Sequence, residues 1–276
     1  QDEERPLRRS MTVVALLANP EHALLSAIVE RGILEGLSFT VSPDTLPTAM
    51  QHHAAALQSY PEAIRSHDVV PSTDWSIGLE GRSSPTSNML VRRRMNIVFG
   101  AENPSPAVED VNVQIHGMLP PVAGSEDAAM FQAWIDHDGR NPPAEVENEH
   151  KYWCDRSDIV YAIVELLKGD PGEQVFNLAG RRKWTLLETW HEFYELAHRT
   201  KAGQTGRFDI SHLEAKGVPS IKAVSVKSEP SGQPRPSLES IHRFLEKQDG
   251  EGWRPKTPLR QSLMFVMAML EPNHAS

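Results

Sequence analysis

Alternating strand-like and helix-like patterns early in the chain, followed by helices and loops, predict an α/β protein. The expected architecture is a parallel sheet carrying a small mixed C-terminal lobe. Two stretches support this most directly. Thr12-Val13-Val14-Ala15-Leu16-Leu17 is β-branched and apolar throughout, as a strand covered on both faces of a parallel sheet is. Ile159, Ala162, Ile163, Leu166 and Leu167 recur at the i, i+3, i+4, i+7, i+8 spacing of one helix face.

In chain order, residues 1–10 read as a polar tail and Met11 as the opening of the first strand. Asn19 is placed to cap a helix with Pro20 at its first position, where a missing N–H costs nothing. Leu24, Ala27 and Ile28 share one face of that helix, and Gly32 is expected to stop it. Strand, short turn and helix make the opening of a Rossmann-type unit. Phe39-Thr40-Val41 is the next strand, leading to Asp44. Residues 45–66 read as helix and loop, strongest at Ala54–Leu57, with a short strand at Val69-Val70 before Ser72-Thr73-Asp74. Gly78–Asn88 is rich in Gly, Ser and Pro and predicts a loop, and Met95–Gly100 predicts another strand.

Ala101–Glu149 is loose and rich in Pro, Asp and Glu, with one helix expected around Ala128–His137. Such a stretch suits a small lobe folded over a site rather than sheet core. The helix through Ile159–Leu167 can be capped by Asp155 or Ser157 and ends at Gly169. Thr185-Leu186-Leu187-Glu188 is a capping-box sequence, followed by Leu187, Trp190, Phe193, Tyr194 and Ala197 on one face. Gly217–Pro236 is turn-rich with a strand expected at Ile221–Val226. Helices over Leu238–Lys247 and Pro258–Leu270 close the chain. The division is therefore a tail (1–10), a Rossmann-like core (11–100), a loop-rich small-lobe segment (101–150), and the remaining core strands with the C-terminal lobe (151–276).

Composition narrows the function classes. Across 276 residues, 39% apolar and 24% charged content is ordinary for a globular protein. A net charge of −9 argues against a nucleic-acid partner, although Arg92-Arg93-Arg94 can hold one small anion. Cys154 is the only cysteine, which precludes an intrachain disulfide and fits a reducing cytoplasm. The longest apolar runs fall short of a bilayer span, so no membrane partner is expected. Arg8-Arg9-Ser10 before Met11–Ala18 resembles a twin-arginine export signal, but Asn19-Pro20-Glu21-His22 interrupts the apolar run early. No His-Glu-x-x-His or comparable ligand spacing occurs among the histidines, and Asp136-His137-Asp138-Gly139 reads as a polar turn, so no metal is expected. No Gly-x-Ser-x-Gly nucleophile elbow is present.

Four segments then occur in a telling order. They are Arg93-Arg94-Met95-Asn96-Ile97-Val98-Phe99-Gly100, Trp153–Ile159, Phe176-Asn177-Leu178-Ala179-Gly180, and Gly252-Trp253-Arg254-Pro255-Lys256-Thr257-Pro258-Leu259. Together they resemble the distal half of the extended short-chain dehydrogenase/reductase family, the NAD-dependent epimerases and dehydratases of sugar nucleotides. The resemblance implies a Rossmann-like parallel sheet, NAD or NADP as cofactor, a sugar nucleotide as ligand, and a homo- or hetero-oligomer. Carried onto this sequence, it implies Thr73 as the catalytic Ser/Thr, Asn19 and Asp44 on the cofactor, and Arg93, Asn96 and Arg235 on the substrate phosphates. Each also has a plainer reading. Ser/Thr clusters and Asn are common in turns, a three-Arg run is often a solvated face, and Arg235 can be a loop charge. Asp158, before a helix, is favoured there by the dipole in any case.

The proximal half departs from the family. Its Gly-x-x-Gly-x-x-Gly turn is replaced by Leu17-Ala18-Asn19-Pro20-Glu21-His22-Ala23, without a glycine. Four residues after Tyr60, Tyr152, Tyr161 and Tyr194 stand Ile64, Arg156, Glu165 and His198, so the Tyr-x-x-x-Lys acid–base pair is missing. Few residues separate the second strand from Ser72, so the sheet is expected to be abbreviated. Three functions remain: an NAD(P)-dependent protein of nucleotide-sugar metabolism, a non-catalytic binding or partner subunit, and a non-redox enzyme on the same scaffold. The two losses move weight towards a protein without independent hydride transfer.

Overall fold

Strand β1 (Val13–Leu16) leads to helix α1 (Ala23–Leu34), which returns the chain to β2 (Ser38–Val41) alongside β1. The computed structural model describes residues 12–80, 89–100, 110–137, 142–143, 149–207 and 235–270. Helices α2 (Leu46–His52) and α3 (Ala54–Ser59) precede β3 (Ile64–Ser66), and then come β4 (Ser72–Leu79), β5 (Leu90–Phe99) and β6 (Asp110–His116). The short β7 (Met118–Leu119), helix α4 (Glu126–Asp136), and the short β8 (His150–Lys151) and β9 (Cys154–Asp155) follow. Helix α5 (Arg156–Lys168), β10 (Val175–Ala179), the short β11 (Trp184–Thr185), and helices α6 (Leu186–Thr205), α7 (Glu239–Asp249) and α8 (Leu259–Leu270) complete the described elements. The main sheet has seven strands in the order β10-β6-β5-β4-β1-β2-β3, and every pairing is parallel.

Strand alternation sorts this sheet into two unlike faces. Val14, Phe39, Ile77, Ile97, Val113 and Phe176 stand on one face and belong to a single core with Leu25 and Ile28 of α1, Ile159 and Ile163 of α5, and Ile241 of α7. Each such side chain hidden from water contributes about 1.5–3 kcal/mol. The other face carries Thr40, Ser76, Asn96, Asn112, Gln114 and Asn177. Asn96 Nδ2 donates to Asn112 Oδ1 at 3.3 Å, and the His116 and Asn177 side chains meet at 2.9 Å. The connections between β3 and β6 are short in sequence: residues 67–71 link β3 to β4, 80–89 link β4 to β5, and 100–109 link β5 to β6. A parallel crossover usually needs about a dozen residues and a helix. Here the described residues of these links hold only a 3₁₀ turn, His67–Val69. His67 Nδ1 lies 3.0 Å from Thr40 Oγ1, so the first link runs across the polar face. The abbreviation therefore falls on the connections, while the strand count is full.

Several local expectations change. Asn19 does not cap α1: its Oδ1 accepts from Glu21 N at 3.0 Å to close a turn, and the helix starts after His22. Gly32 does not stop α1 but lies inside it, because a Cβ there would stand 2.6 Å from Phe39 Cζ. The positive-φ glycine that ends the turn is Gly36. Val69-Val70 is not a strand, whereas Ser72–Leu79 is one throughout. Residues 101–149 are not free of sheet core: Asp110–His116 alternates polar and apolar side chains and forms β6 between β5 and β10. The 1–10 tail, Met11, most of the Gly78–Asn88 loop and the strand expected at Ile221–Val226 lie outside the described residues.

The C-terminal lobe has its own core of Phe131 and Trp134 from α4, Trp190 and Phe193 from α6, and Leu263 and Val266 from α8. The capping box at Thr185/Glu188 is formed in both directions. Lobe and sheet are clasped by the family-like segments themselves. Asp155 caps α5 through Ser157 N (2.8 Å) and accepts from Ser262 Oγ of α8 (2.7 Å). Asp158 does not cap; it accepts from Lys256 N and Thr257 N at 3.0 and 3.1 Å. Trp253 Nε1 donates to Ala179 O at 2.9 Å at the end of β10. Next to it, Gly180 packs so closely that a Cβ would sit 2.0 Å from Trp153 O.

Two predictions follow from these contacts. Gly180→Ala will destabilise the protein by at least about 1–3 kcal/mol, the range for overpacking. Gly172→Ala, where a Cβ meets nothing within 4 Å, will be close to neutral in the same urea titration. The second concerns His53, which is 1% exposed with neither ring nitrogen hydrogen-bonded among the described residues. Burial lowers its pKa, the neighbouring His52 lowers it further, and Glu30 partly opposes both. The unfolded chain therefore binds more protons below about pH 6.5, and stability falls as pH drops through that value. Urea midpoints at pH 7 and 5.5 should show the loss, and His53→Leu should reduce it, with His22 and His67, also lowered by burial, supplying the remainder.

Candidate functional site

The strand order reverses between β1 and β4, and the C-terminal edge of the sheet opens there as a crevice. A cavity of about 620 Å³ occupies it. Its floor is Leu79, Phe99 and Ile115, the last apolar residues of β4, β5 and β6, and its roof is Met118, Pro121 and Val122. Gly100 and Gly117, both at positive φ, turn the chain away as β5 and β6 end.

Among the described residues, four ionisable groups face this space: His22, Glu80, Asp127 and Lys151. His22, the N-cap residue of α1, lines it without making a side-chain cap bond, and its ring lies 6.2 Å from that of Phe99. Burial lowers the His22 pKa, with Glu80 pulling it up and Arg156 pushing it down, so the imidazole is neutral at pH 7. Glu80 follows β4 in a left-handed conformation (φ 52°), which costs a non-glycine residue about 1–3 kcal/mol. Its N–H donates to Ile97 O at 2.8 Å. Lys151 of β8 donates to Asp127 of α4 at 2.8 Å and lies 5.9 Å from the Trp153 ring. Ser125 places Asp127 by capping α4, accepting from Ala128 N at 3.2 Å.

The residues singled out in the sequence do not converge on this cavity. Asn19 lies in the turn beside it, its carbonyl accepting from His22 N at 3.1 Å. Asp44 is exposed in the turn after β2. Thr73 is buried at the start of β4, at the opposite end from Leu79, and its Oγ1 has no partner among the described residues. Arg93 stacks over Trp75 at 4.9 Å and binds Asp170 and Pro171 O near the start of β5. Asn96 lies mid-strand on the polar face. Arg235 donates to Arg181 O at 3.0 Å, beside a second cavity of about 190 Å³ lined by Arg181, Arg182, Trp184 and Thr257. Arg93–Gly100 forms β5, and the neighbouring β6 ends at the cavity in a similar ring–glycine pair, His116-Gly117.

Sequence reasoning missed His22, Glu80, Ser125, Asp127 and Lys151. For two of them a signal existed: Ser125 followed by Glu126 and Asp127 is an N-cap with an acidic first turn. Glu80 offered none, because a positive φ in a glutamate is not legible locally.

No tyrosine lines the cavity. Tyr60 is exposed, Tyr194 stacks on Trp190 at 5.0 Å, and Tyr161 donates to Asp249 at 2.8 Å. Burial, and then that hydrogen bond, push the Tyr161 pKa up. Cys154 is buried, which holds its thiol protonated and unreactive; Asp158 and Asp155 add to the effect. Among the described residues no group of three or more His, Cys, Asp or Glu side chains is arranged to hold a metal ion. No helix there is long and apolar enough to cross a membrane.

No family model and no curated protein sequence matches the chain. Solved structures do. The Bordetella bronchiseptica enzyme WbmF, in complex with NAD+ and UDP, is 11% identical over 95% of this chain and 94% of its own, with a TM-score of 0.53. The reductase domain of the aureusimine biosynthetic cluster is 9% identical over 94% and 90%, with a TM-score of 0.56. The epimerase Mth375 of Methanothermobacter thermautotrophicus is 12% identical over 94% and 92%, with a TM-score of 0.54. Identities this low speak to architecture alone. The seven-stranded parallel sheet, the clasped C-terminal lobe and these likenesses give the chain the extended short-chain dehydrogenase/reductase fold.

Proposed function

We propose that this protein binds a sugar nucleotide or similar small molecule on an epimerase/dehydratase-like scaffold and carries out no hydride transfer of its own. One observation carries the reading. The cavity at the β1/β4 switch point contains no tyrosine, and its lysine is held by Asp127. Among the described lining residues a tyrosine–lysine acid–base pair is therefore lacking, at a cost of roughly 10²–10⁴ in rate for that role.

The turn before α1 does not fit a dinucleotide either. The WbmF structure holds NAD+, and a pyrophosphate in this fold lies against backbone N–H groups at the first helix. Here Pro20 is buried and has no N–H, Glu21 adds a carboxylate, and the His22 side chain occupies the rim. No step is assigned to NAD or NADP. The ligand half of the proposal rests on the second cavity. Arg181 and Arg182 line it, Arg235 is fixed beside it, and the Arg182 guanidinium lies 3.7 Å from the centre of the Trp184 ring. Guanidinium groups with an adjacent aromatic suit a diphosphate joined to a ring. A partner-subunit role is favoured by a separate feature, the exposed Met264, Phe265 and Met269 on α8 (55%, 47% and 40%).

Incubation with NAD or NADP and a panel of sugar nucleotides should give no turnover, and absorbance after denaturation should reveal no co-purified nicotinamide. Turnover at ordinary enzyme rates would refute the proposal. UDP-sugar binding by calorimetry should weaken about tenfold or more in Arg235→Ala, as loss of a charge-assisted contact requires, with the melting temperature unchanged. Light scattering of the purified chain checks the partner reading, which predicts more than a monomer.

A further inference from the structure

We infer that the second cavity is a base-tolerant clamp, which takes nucleoside diphosphate sugars by their diphosphate and does not select the base. This rests on the reading above that the arginines beyond β10 hold a sugar nucleotide. A cavity of about 190 Å³ falls below the roughly 300–1,000 Å³ that encloses a drug-sized ligand. It has room for one part of a sugar nucleotide, and the arginines decide which part. Arg181 and Arg182 line it, and Arg235 is fixed beside it on Arg181 O at 3.0 Å. Guanidinium forks meet phosphate oxygens two at a time. The polar groups deeper in the lining serve the fold instead. Asp155 accepts from Ser157 N and Ser262 Oγ, Trp153 Nε1 donates to Thr189 Oγ1 at 2.9 Å, and Thr257 N donates to Asp158.

The base is left to the rim, where it meets Arg182. One face of the Trp184 ring is already covered by the Arg182 guanidinium, 3.7 Å from the ring centre. Arg182 Nη2 also donates to Glu188 Oε1 at 3.3 Å, which ties the guanidinium to the first turn of α6. With its side chain 63% exposed, Arg182 offers the other face of its plane to a ring arriving from solvent. Stacking on such a plane uses the π-face that every base has, whereas selection of one base needs hydrogen bonds to its edge. Purines and pyrimidines therefore gain the same contact, and the diphosphate supplies the rest.

Calorimetry with UDP-glucose, ADP-glucose and GDP-mannose tests this, with UMP as the monophosphate control. The three sugar nucleotides should bind within about threefold of one another, and UMP at least about tenfold more weakly. Arg182→Lys keeps the charge and removes the plane. It should weaken all three by a common factor of about tenfold, with the circular dichroism unchanged. A tenfold preference for one base overturns the inference, as does UMP binding as tightly as UDP-glucose or indifference to Arg182→Lys. Any of these removes this inference alone, because sugar-nucleotide binding then still stands. Binding of none of the three removes the ligand half of the proposed function as well.

Discussion

The two unlike faces of the sheet are the constraint from which the rest of the structure follows. An all-parallel sheet normally has both faces buried under helices, and its strands read as continuous apolar runs. Here only β1 reads that way, while β4, β5 and β6 place Ser76, Asn96, Asn112 and Gln114 on one side and Ile77, Ile97, Val113 and Ile115 on the other. Helices α1, α5 and α7 seal the apolar side. The links between β3 and β6 are only 5 to 10 residues long in sequence, and His67 in the first of them bonds Thr40 on the side bearing Ser76, Asn96, Asn112 and Gln114.

The segments that resemble the family therefore have a different meaning from the one their order first implies. Asp155, Asp158, Gly180 and Trp253 join three pieces of chain far apart in sequence: the start of α5, the end of β10 and the loop before α8. Asp158 receives two backbone N–H groups and Asp155 a buried hydroxyl, so each acidic group is satisfied where it stands. These residues hold the lobe against the sheet. Their presence accounts for the fold without requiring the reaction.

At the C-terminal edge, local chemistry gives the crevice its character. In this fold the helix dipole and bare glycine backbone make an anion site at the first turn. At the same place this chain has a proline without an N–H, a carboxylate and a neutral imidazole in place of glycine backbone. The arginines that can meet an anion lie beyond β10 instead, at Arg181, Arg182 and Arg235. The inner cavity, by contrast, is lined mainly by apolar residues.

Wherever one period or one motif is decisive, the sequence is sufficient. Strands β1 and β2, the apolar face of α5 and the capping box at Thr185/Glu188 are all readable from spacing. So is the loss of the glycine turn and of the tyrosine–lysine pair, because each is defined by contiguous residues. Strand β6 was legible in principle, but its alternation lies inside a Pro- and acid-rich stretch that reads as loop. The partner of Asp158 and the packing of Gly32 on Phe39 were not legible, nor was the left-handed Glu80 or the cavity shared by His22, Asp127 and Lys151. Each depends on which strands are neighbours and in what register, and local periodicity carries no record of that pairing. Sequence alone therefore determined the scaffold and the absence of two contiguous motifs, the glycine turn and the Tyr-x-x-x-Lys pair. Tertiary structure decided the faces, the clasp and the site, because these arise only when residues distant in the chain share a surface.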